Sequence, residues 1–327
     1  MSSACAPGKA ILFGEHSVVY GRPAIAVPVS QVRACATVEG TPPGSGLVID
    51  ATDLHVCCPL RTASKAEHPA YALATTVQHT LQRLGIDIAP DLTLRISSTI
   101  PIACGLGSGA AVATATVRAL AQHLGHTLST LEVSQLVYQT EVLHHGTPSG
   151  IDNTVIAFEQ PIYFVKDQPI QLLAVKRAFW LLIADTGVAS PTRIAVADVR
   201  RAWQKQAAAF EALFDKIAAI ADQAAAAISN GNTAALGPLM NENHELLVRL
   251  GVSSPELERL VRAAREAGAQ GAKLSGGGRG GNMIAQVSPP ETQRVATALK
   301  KAGASSVIAS CVEATAGPGS GWQAAPA

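Results

Sequence analysis

The 327-residue sequence has no long hydrophobic run and no excess of charge of either sign. Its longest uninterrupted apolar run, residues 178–184, is far short of the roughly 18 residues that a membrane-spanning helix needs. Lysine and arginine number 25 against 24 aspartate and glutamate residues. This balance excludes the basic surface of a nucleic-acid-binding protein and an acidic tail. We therefore expect neither a nucleic-acid partner nor a membrane partner.

The six cysteines also lack the spacing of a zinc site or a disulfide framework. Cys57 and Cys58 are adjacent, the other four are scattered, and no CxxC pair occurs. The first residues, MSSACAPGKAILFGEH, have no basic segment before an apolar one and do not match a signal peptide. We expect a cytoplasmic protein whose cysteines are reduced.

Apolar spacing alternates between the patterns of strands and helices. Helical spacing over residues 70–84 is closed by Gly85, and STLE at 129–132 is a capping box that begins another helix. The second half is mostly helical, beginning with one long helix predicted over 196–229. Shorter helices are predicted over 236–249, 255–267 and 290–302. Residues 9–29 are predicted to form a strand, a turn and a second strand, and further strands are predicted over 34–38, 47–51, 91–97, 161–164, 179–184 and 306–312. We predict an N-terminal domain over 1–175, a second domain over 176–315 and a flexible tail over 316–327.

One glycine-rich segment, GLGSGAA at residues 105–111, leads into a helix pattern. Its glycines let the backbone approach a ligand, and the following helix N-terminus favours anions. Ser108 fits the N-cap position. The chain has no G-x-x-x-x-G-K-[ST], and the segment does not match G-x-S-x-G, so it is neither a Walker loop nor a nucleophile elbow. On shape alone, anion binding and a tight structural turn are equally supported.

A second glycine-rich segment covers residues 276–281 and matches G-x-G-x-x-G. It leads into the strand-like NMIAQV rather than a helix, which excludes a Rossmann dinucleotide site. Five glycines in six residues exceed what a turn needs and favour close backbone approach to a ligand.

Charged side chains near these segments each have an ordinary interpretation when taken singly. Lys9 resembles a strand-end charge, and Glu15 and His16 between glycines resemble a solvated turn. Glu141 lies on a helix face, and Asp152 follows helix breakers as an N-terminal cap does.

Four segments together resemble, in order and spacing, the signature motifs of the GHMP small-molecule kinases. They are APGKAILFGEHSVVYG, IPIACGLGSGAA, HHGTPSGIDN and GAKLSGGGRGGN. The first and third segments, and residues 240–261, are most similar to the mevalonate branch of this family. The resemblance extends over about residues 6–312. It implies an α+β fold with a ribosomal-S5-like N-terminal domain and a ferredoxin-like C-terminal domain. The active site would lie in the cleft between them.

The resemblance also implies the site residues and the cofactors, ATP and Mg²⁺. Asp152 matches the catalytic aspartate, Lys9 the lysine beside it, and Glu141 the Mg²⁺ ligand. Glu15, His16 and Thr192 match positions near mevalonate. The residues that match the ATP-binding segments are Pro101, Cys104, Gly105, Leu106, Gly107, Ser108, Gly109, Ala110, Ala111, Gly276, Gly277 and Gly278.

Two departures from the family pattern bear on the site. The family loop reads GLGSSAA, and Gly109 stands where its second serine approaches Mg²⁺, so Ser108 or a water would substitute. Arg279 replaces a small residue, and we expect it to contact phosphate or an acidic group rather than solvent.

The resemblance favours an ATP-dependent kinase that phosphorylates mevalonate to 5-phosphomevalonate in the isoprenoid pathway. Phosphomevalonate, homoserine or a sugar is an alternative acceptor. A nucleotide-binding sensor that has lost catalysis is a second alternative, which Gly109 keeps open. The sequence also leaves a homodimer open.

Overall fold

The computed structural model describes residues 1–101, 104–145, 148–189 and 192–315. The predicted tail over 316–327 lies outside the described residues. Helices and strands are mixed along the chain, and most strand pairs are antiparallel, which confirms the α+β class. In the part of the chain that the structure describes, no helix has the length and apolar character needed to cross a membrane.

Eleven strands are defined within these residues. They are β1 Ser2–Phe13, β2 Ala24–Gly40, β3 Leu47–Ala51, β4 Val56–Pro59, β5 Leu92–Ser98, β6 Ile162–Phe164, β7 Gln171–Leu172, β8 Phe179–Asp185, β9 Gly271–Ser275, β10 Asn282–Val287 and β11 Ser306–Val312. The α-helices are α1 Leu60–Ala63, α2 Tyr71–Arg83, α3 Ser108–His123, α4 Thr130–His145, α5 Ile151–Phe158, α6 Thr192–Lys205, α7 Ala207–Asn230, α8 Leu236–Arg249, α9 Pro255–Glu266 and α10 Thr292–Lys301. Short 3-10 turns lie at Ser17–Tyr20, Thr52–Leu54, Thr233–Ala235 and Pro289–Glu291.

One compact unit comprises residues 1–8, 32–101 and 107–159, in its described part. Its strands follow the order β4-β3-β5-β2, and only the β3–β5 pair among them is parallel. Helices α2 to α5 pack together, and α3 also packs on β5. Burial alternates along β5 because successive side chains point to opposite faces of a sheet. The helices therefore cover one face of this sheet.

The other unit comprises residues 9–31, 104–106, 160–189 and 192–315 among those described. Its main sheet is antiparallel, in the order β11-β8-β10-β9, and helices α8, α9 and α10 pack on it. The central strands β8 and β10 are almost wholly buried, which explains the continuous apolar run over 179–184 in β8. The N-terminal part of β2 pairs with β6, and β6 pairs with β7. Both units are assembled from separate segments, and the division at residue 175 stays a prediction.

The sequence prediction was wrong about one long helix. Residues 196–229 belong to α6 and α7, which are separated by Gln206 with φ −139° and ψ 52°. Neither glycine nor proline marks this break, so the sequence carried no local signal for it. The capping box is confirmed, because the backbone N–H of Ser129 donates to Glu132 and the N–H of Glu132 donates to the Ser129 hydroxyl.

The expectation of reduced cysteines is wrong for one pair. Cys5 and Cys35 form a disulfide, although they are 30 residues apart in sequence. They lie on β1 and β2, which are paired strands, so only the fold makes them neighbours. The remaining cysteines, Cys57, Cys58, Cys104 and Cys311, are free thiols.

Candidate active site

The first glycine-rich segment forms a turn that opens α3, as predicted. Gly105 and Gly107 both have φ +75°, a conformation that strains residues with a Cβ. Gly107, not Ser108, is the N-cap, because this left-handed conformation favours glycine, and Ser108 is the first helical residue. The first N–H groups of α3 have no acceptor within the helix, which suits an anion. Pro101 lies half-buried before this segment, and Ala110 and Ala111 are buried in α3.

In the same unit as α3, the carboxylate of Glu141 faces the start of that helix. Glu141 is buried in α4, and a Cβ added to Gly109 would lie 3.4 Å from its Oε1. Packing of α3 against α4 brings these two residues together although they are 32 positions apart in sequence. The absent side chain at position 109 therefore leaves the Glu141 carboxylate next to the backbone of the glycine segment.

Asp152 lies in the first turn of α5, as its sequence context predicted. Gly150 precedes this helix with φ +92°, and its carbonyl accepts a bond from the Thr154 hydroxyl at 2.7 Å. The neighbouring Asn153 donates to the backbone oxygen and hydroxyl of Ser134 in α4, at 3.1 and 2.9 Å. These bonds fix the start of α5 and with it the backbone of Asp152.

In the other unit, Lys9 is buried on β1, and its backbone N–H donates to the Leu106 carbonyl at 2.9 Å. The chain then turns sharply at Gly14, which has φ +91°; a Cβ there would lie 2.5 Å from the Cα of Ala24. His16 also has positive φ, at 62°, which is uncommon for a residue with a side chain. The turn that carries Glu15 and His16 is therefore tightly constrained and buried, not the solvated turn that was an alternative.

Glu15 forms a buried ion pair with Lys273 of β9. The Lys273 ammonium also donates to the Leu274 carbonyl at 2.8 Å, and the lysine is fully buried. Burial raises the pKa of the Glu15 carboxyl, and the charge of Lys273 opposes that change. Burial likewise lowers the pKa of Lys273, opposed by Glu15. Each residue is the counter-ion that makes the other's burial tolerable.

Among the described residues, Glu15 Oε2 is a buried acceptor without a hydrogen-bond partner. Such an atom is costly unless a water or ligand donates to it. The next residue in sequence, His16, is held by a 3.0 Å hydrogen bond between its Nε2 and the Gly277 carbonyl. Burial lowers the pKa of His16 to about 4, so the ring is neutral at physiological pH and Nε2–H is the donor.

The second glycine-rich segment is shaped mainly by its own protein neighbours. A Cβ on Gly277 would lie 2.8 Å from the Thr192 hydroxyl, one on Gly278 3.0 Å from the Val252 carbonyl carbon, and one on Gly280 2.6 Å from the Val188 oxygen. At these positions glycine is required by packing within the chain. Only Gly276, of the predicted ligand-facing glycines here, has open space where a Cβ would be.

Arg279 contacts an acidic group, which was one of the two contacts predicted for it. Its guanidinium pairs with Asp198 of α6, and its backbone N–H donates to the Val252 carbonyl at 2.8 Å. The residue has φ +60°, so its backbone is constrained as well. Arg279 therefore ties the second glycine-rich segment to α6, the helix that Thr192 begins.

Sequence reasoning did not single out Lys273, Asp198, Asp185 or Asn282. Lys273 had a readable signal, since a lysine inside the apolar strand GAKLS must find a buried partner. Asn282 donates to the Cys104 carbonyl, and the Cys104 thiol donates to Asp185 Oδ2 at 3.0 Å. No local sequence pattern predicts these long-range contacts.

The described residues contain no group of three or more histidine, cysteine, aspartate and glutamate side chains that could enclose a metal. A hard cation would thus rely on few protein ligands. Glu141 is a carboxylate beside a helix N-terminus, and the hydroxyl of Ser108 begins that helix. This donor set fits Mg²⁺, which commonly keeps waters and takes one or two carboxylates plus phosphate oxygens.

Comparison with known proteins identifies the family. A sequence model of the GHMP kinases N terminal domain matches residues 70–160, and one of the GHMP kinases C terminal matches residues 224–305. The chain is 37% identical over 305 residues to the mevalonate kinase of Pyrococcus horikoshii, covering 86% of this chain and 87% of that protein.

Solved structures agree with this assignment. The L. major mevalonate kinase in complex with R-mevalonate has a TM-score of 0.82 and 30% identity, with 97% of both chains covered. The Streptococcus pneumoniae phosphomevalonate kinase, at 16% identity and a TM-score of 0.77 over 94% of this chain and all (100%) of that one, shares the fold alone. The chain therefore belongs to the mevalonate kinases, a branch of the GHMP kinases with a two-domain α+β fold.

Proposed function

We propose that this protein transfers the γ-phosphoryl group of ATP to the 5-hydroxyl of mevalonate, giving 5-phosphomevalonate and ADP in the isoprenoid pathway. The observation that carries the proposal is the buried Glu141 carboxylate against the glycine-rich start of α3, in a chain 37% identical to a mevalonate kinase. A buried carboxylate beside a helix N-terminus suits a metal-bound phosphate, whereas a plain structural turn does not require one.

The segment 105–111 is proposed to bind the ATP phosphates. Positive φ at Gly105 and Gly107 lets the backbone approach the phosphates, and the N–H groups at the start of α3 donate to them. The other proposed contacts are Pro101, Cys104, Leu106 and, from the second glycine-rich segment, Gly276, Gly277 and Gly278. Packing of Gly277 against Thr192 and Gly278 against Val252 supports a rigid loop there.

Mg²⁺ is proposed to bind at Glu141, with Ser108 as a second oxygen ligand. When bound, it would neutralise charge on the phosphates during transfer. Gly109 provides no hydroxyl, so waters and phosphate oxygens would complete the coordination shell. Burial of Glu141 limits the carboxylate to few orientations, which supports a defined site.

Asp152 is proposed to orient the acceptor hydroxyl and accept its proton. The hydroxyl oxygen forms a bond to the γ-phosphorus, while the bond from that phosphorus to the β–γ bridging oxygen breaks and ADP leaves with the electron pair. Lys9 supplies a positive charge for the oxygen anions that develop. Positioning and charge neutralisation supply most of the rate in such reactions.

Acceptor recognition is proposed to involve Glu15, His16 and Thr192. The unpartnered Glu15 Oε2 can accept from a substrate hydroxyl, and the fixed neutral His16 adds a polar group without net charge. Lys273 holds Glu15 in place through its other oxygen. The one carboxylate of this surface is already paired with Lys273, so it suits substrate hydroxyls better than a second phosphate, which would need additional cations.

The test is a coupled ADP-release assay with mevalonate, phosphomevalonate, homoserine and galactose. We expect turnover with mevalonate, and we expect Asp152→Asn to lower kcat by about 10²–10⁴-fold, the usual contribution of a positioned base. Nucleotide affinity, measured by calorimetry with a non-hydrolysable ATP analogue, should change little. Asp87→Asn, which removes an exposed carboxylate from the same unit, is the matched control and should retain activity.

Other outcomes separate the alternatives. Turnover only with another acceptor would assign a different kinase activity. Nucleotide binding without turnover on any acceptor would favour the sensor. Near-normal kcat in Asp152→Asn would remove Asp152 from the chemistry. The homodimer and the cytoplasmic location stay predictions.

A further inference from the structure

Cys104, at the entrance to the first glycine-rich segment, is held through both its backbone and its side chain. Its carbonyl accepts a bond from Asn282 Nδ2, and its thiol donates to Asp185 Oδ2 at 3.0 Å. All three residues belong to the same compact unit. Asn282 and Asp185 are opposite each other in the antiparallel β8–β10 pair. Cys104 is therefore held by two neighbouring residues of one sheet.

The two sheet residues are themselves well fixed. Asp185 Oδ1 accepts from the Gly187 N–H at 3.0 Å, which leaves Oδ2 for the thiol. The Asp185 carbonyl accepts from the N–H of Ser305 at 2.9 Å. Asn282 is buried, at the start of a strand that pairs on both sides. Residues on a paired strand hold the groups that they contact in place more precisely than residues on a loop do.

The following residues are held from the same side. A Cβ on Gly105 would lie 3.9 Å from Asn282 Nδ2, and the Leu106 carbonyl accepts from the Lys9 N–H at 2.9 Å. Residues 104, 105 and 106, at the entrance and start of the first glycine-rich segment, therefore each lie against a fixed group. Burial and the Asp185 carboxylate raise the pKa of the Cys104 thiol to about 12, so it stays a protonated donor.

We propose that Asp185 and Asn282 are positioning residues for the nucleotide, acting through Cys104 without touching the nucleotide themselves. The proposal rests on the proposed function, in which residues 105–111 bind the phosphates. Misplacing Cys104 shifts the backbone of Gly105 and weakens the phosphate contacts, while mevalonate recognition stays intact. Positioning groups far from the reacting atoms affect binding through such small displacements.

The test compares Asn282→Asp, Cys104→Ala and Cys104→Ser. Asn282→Asp replaces a donor with an acceptor facing the Cys104 carbonyl, and we expect nucleotide Kd and the KM for ATP to rise about tenfold or more. Cys104→Ala removes a weak thiol donor and should raise both about threefold, whereas Cys104→Ser keeps a hydroxyl donor toward Asp185 and should raise them less than Cys104→Ala does. In Asn282→Asp, the kcat at saturating ATP and the KM for mevalonate should remain within twofold.

Cys311→Ala is the matched control. Its thiol also bonds a carboxylate, that of Glu313, and its pKa is likewise raised, to about 11, but it lies on β11. We expect no change in nucleotide Kd. Kd is measured by calorimetry with a non-hydrolysable ATP analogue and no acceptor, and Tm is recorded for each variant.

An unchanged Kd in Asn282→Asp that keeps its Tm would overturn the proposal. So would parallel losses in nucleotide Kd, the KM for mevalonate and kcat, since these indicate a general structural role. If Asn282→Asp fails to fold, the contrast between Cys104→Ala and Cys104→Ser decides, and equal Kd values for the two would overturn it. Because Kd needs no acceptor, absence of turnover with mevalonate would count against the proposed function alone.

Discussion

At the scale of single residues, Gly109 decides how the first glycine-rich segment meets Glu141. It lies inside α3 without a positive φ, so the backbone does not require glycine. A Cβ would lie 3.4 Å from Glu141 Oε1, within ordinary contact distance. Glycine here costs helix stability relative to serine, because serine is the better helix former. The position thus has room for a hydroxyl that this chain does not use.

We predict that Gly109→Ser binds the Mg²⁺ complex of a non-hydrolysable ATP analogue at least as tightly as the wild-type protein. On the proposed Mg²⁺ site at Glu141, the added hydroxyl would supply another oxygen ligand, and the helix would gain about 0.5 kcal/mol. Titration calorimetry at fixed Mg²⁺ measures this. Gly109→Ala, which adds the Cβ alone, separates the hydroxyl from the packing. A tenfold loss in both variants would show that position 109 must stay empty for another reason.

At the scale of secondary-structure elements, the contact between α8 and β9 positions the strand that carries Lys273. Side chains of α8 accept from backbone N–H groups of β9: Asn241 from Ala272 at 3.0 Å and His244 from Leu274 at 3.3 Å. Those N–H groups lie on the outer edge of the sheet, since among the described strands β9 pairs with β10 alone. The helix therefore takes the place of a neighbouring strand.

Glycine lets the backbones of α8 and β9 approach closely, and we predict that Gly271→Ala is strongly destabilising. A Cβ on Gly271 would lie 2.5 Å from the Cα of Gly237, and backbone cannot move aside as a flexible side chain can. We expect a loss of about 3 kcal/mol or more in the free energy of unfolding, the upper range for overpacking. Urea denaturation measures it. Gly40→Ala, at a strand end with open space around the Cβ position, should change stability by less than about 1 kcal/mol.

At the scale of the whole molecule, two buried histidines link stability to pH. Burial lowers the pKa of His16 to about 4, and burial also lowers that of His244 to about 4 against the opposing charge of Glu258. Both values lie below the 6.5 of an exposed histidine. Well above pH 6.5 the two histidines are unprotonated in both the folded and the unfolded chain, so their contribution to stability is fully present. As pH falls from 6.5 toward 4, the unfolded chain binds protons that the folded chain does not, and that stability is lost.

We predict that the free energy of unfolding falls between pH 6 and pH 5 with a histidine contribution of up to about 2.7 kcal/mol per pH unit, from two protons. Urea titrations at several pH values measure the slope. His16→Gln and His244→Gln should each flatten it, and His126→Gln, an exposed site, should not. Comparison among variants is needed because the raised pKa of Glu15 acts in the opposite direction. Equal slopes in all four proteins would refute the assignment.

Much of this molecule was readable from its sequence. The period of the apolar residues predicted most helices and strands, and the capping box at Ser129 marked a helix start correctly, because these signals depend on neighbours a few residues away. The glycine-rich segments and the charged residues Lys9, Glu15, Glu141 and Asp152 predicted the family through their order and spacing. Two local details were misread: Gln206 interrupts a helix without any breaker, and Gly107 rather than Ser108 caps α3.

The tertiary structure alone decided which residues face one another. Lys273 pairs with Glu15 across 258 positions, Asn282 holds Cys104 across 178, and Cys5 bonds Cys35 through adjacent strands. It also showed that Gly277, Gly278 and Gly280 make room for protein neighbours, whereas the sequence had favoured a ligand. The physical reason is that periodicity, caps and turns are local properties of the chain. Partners for buried charges, and the space around a glycine, depend on how distant segments pack.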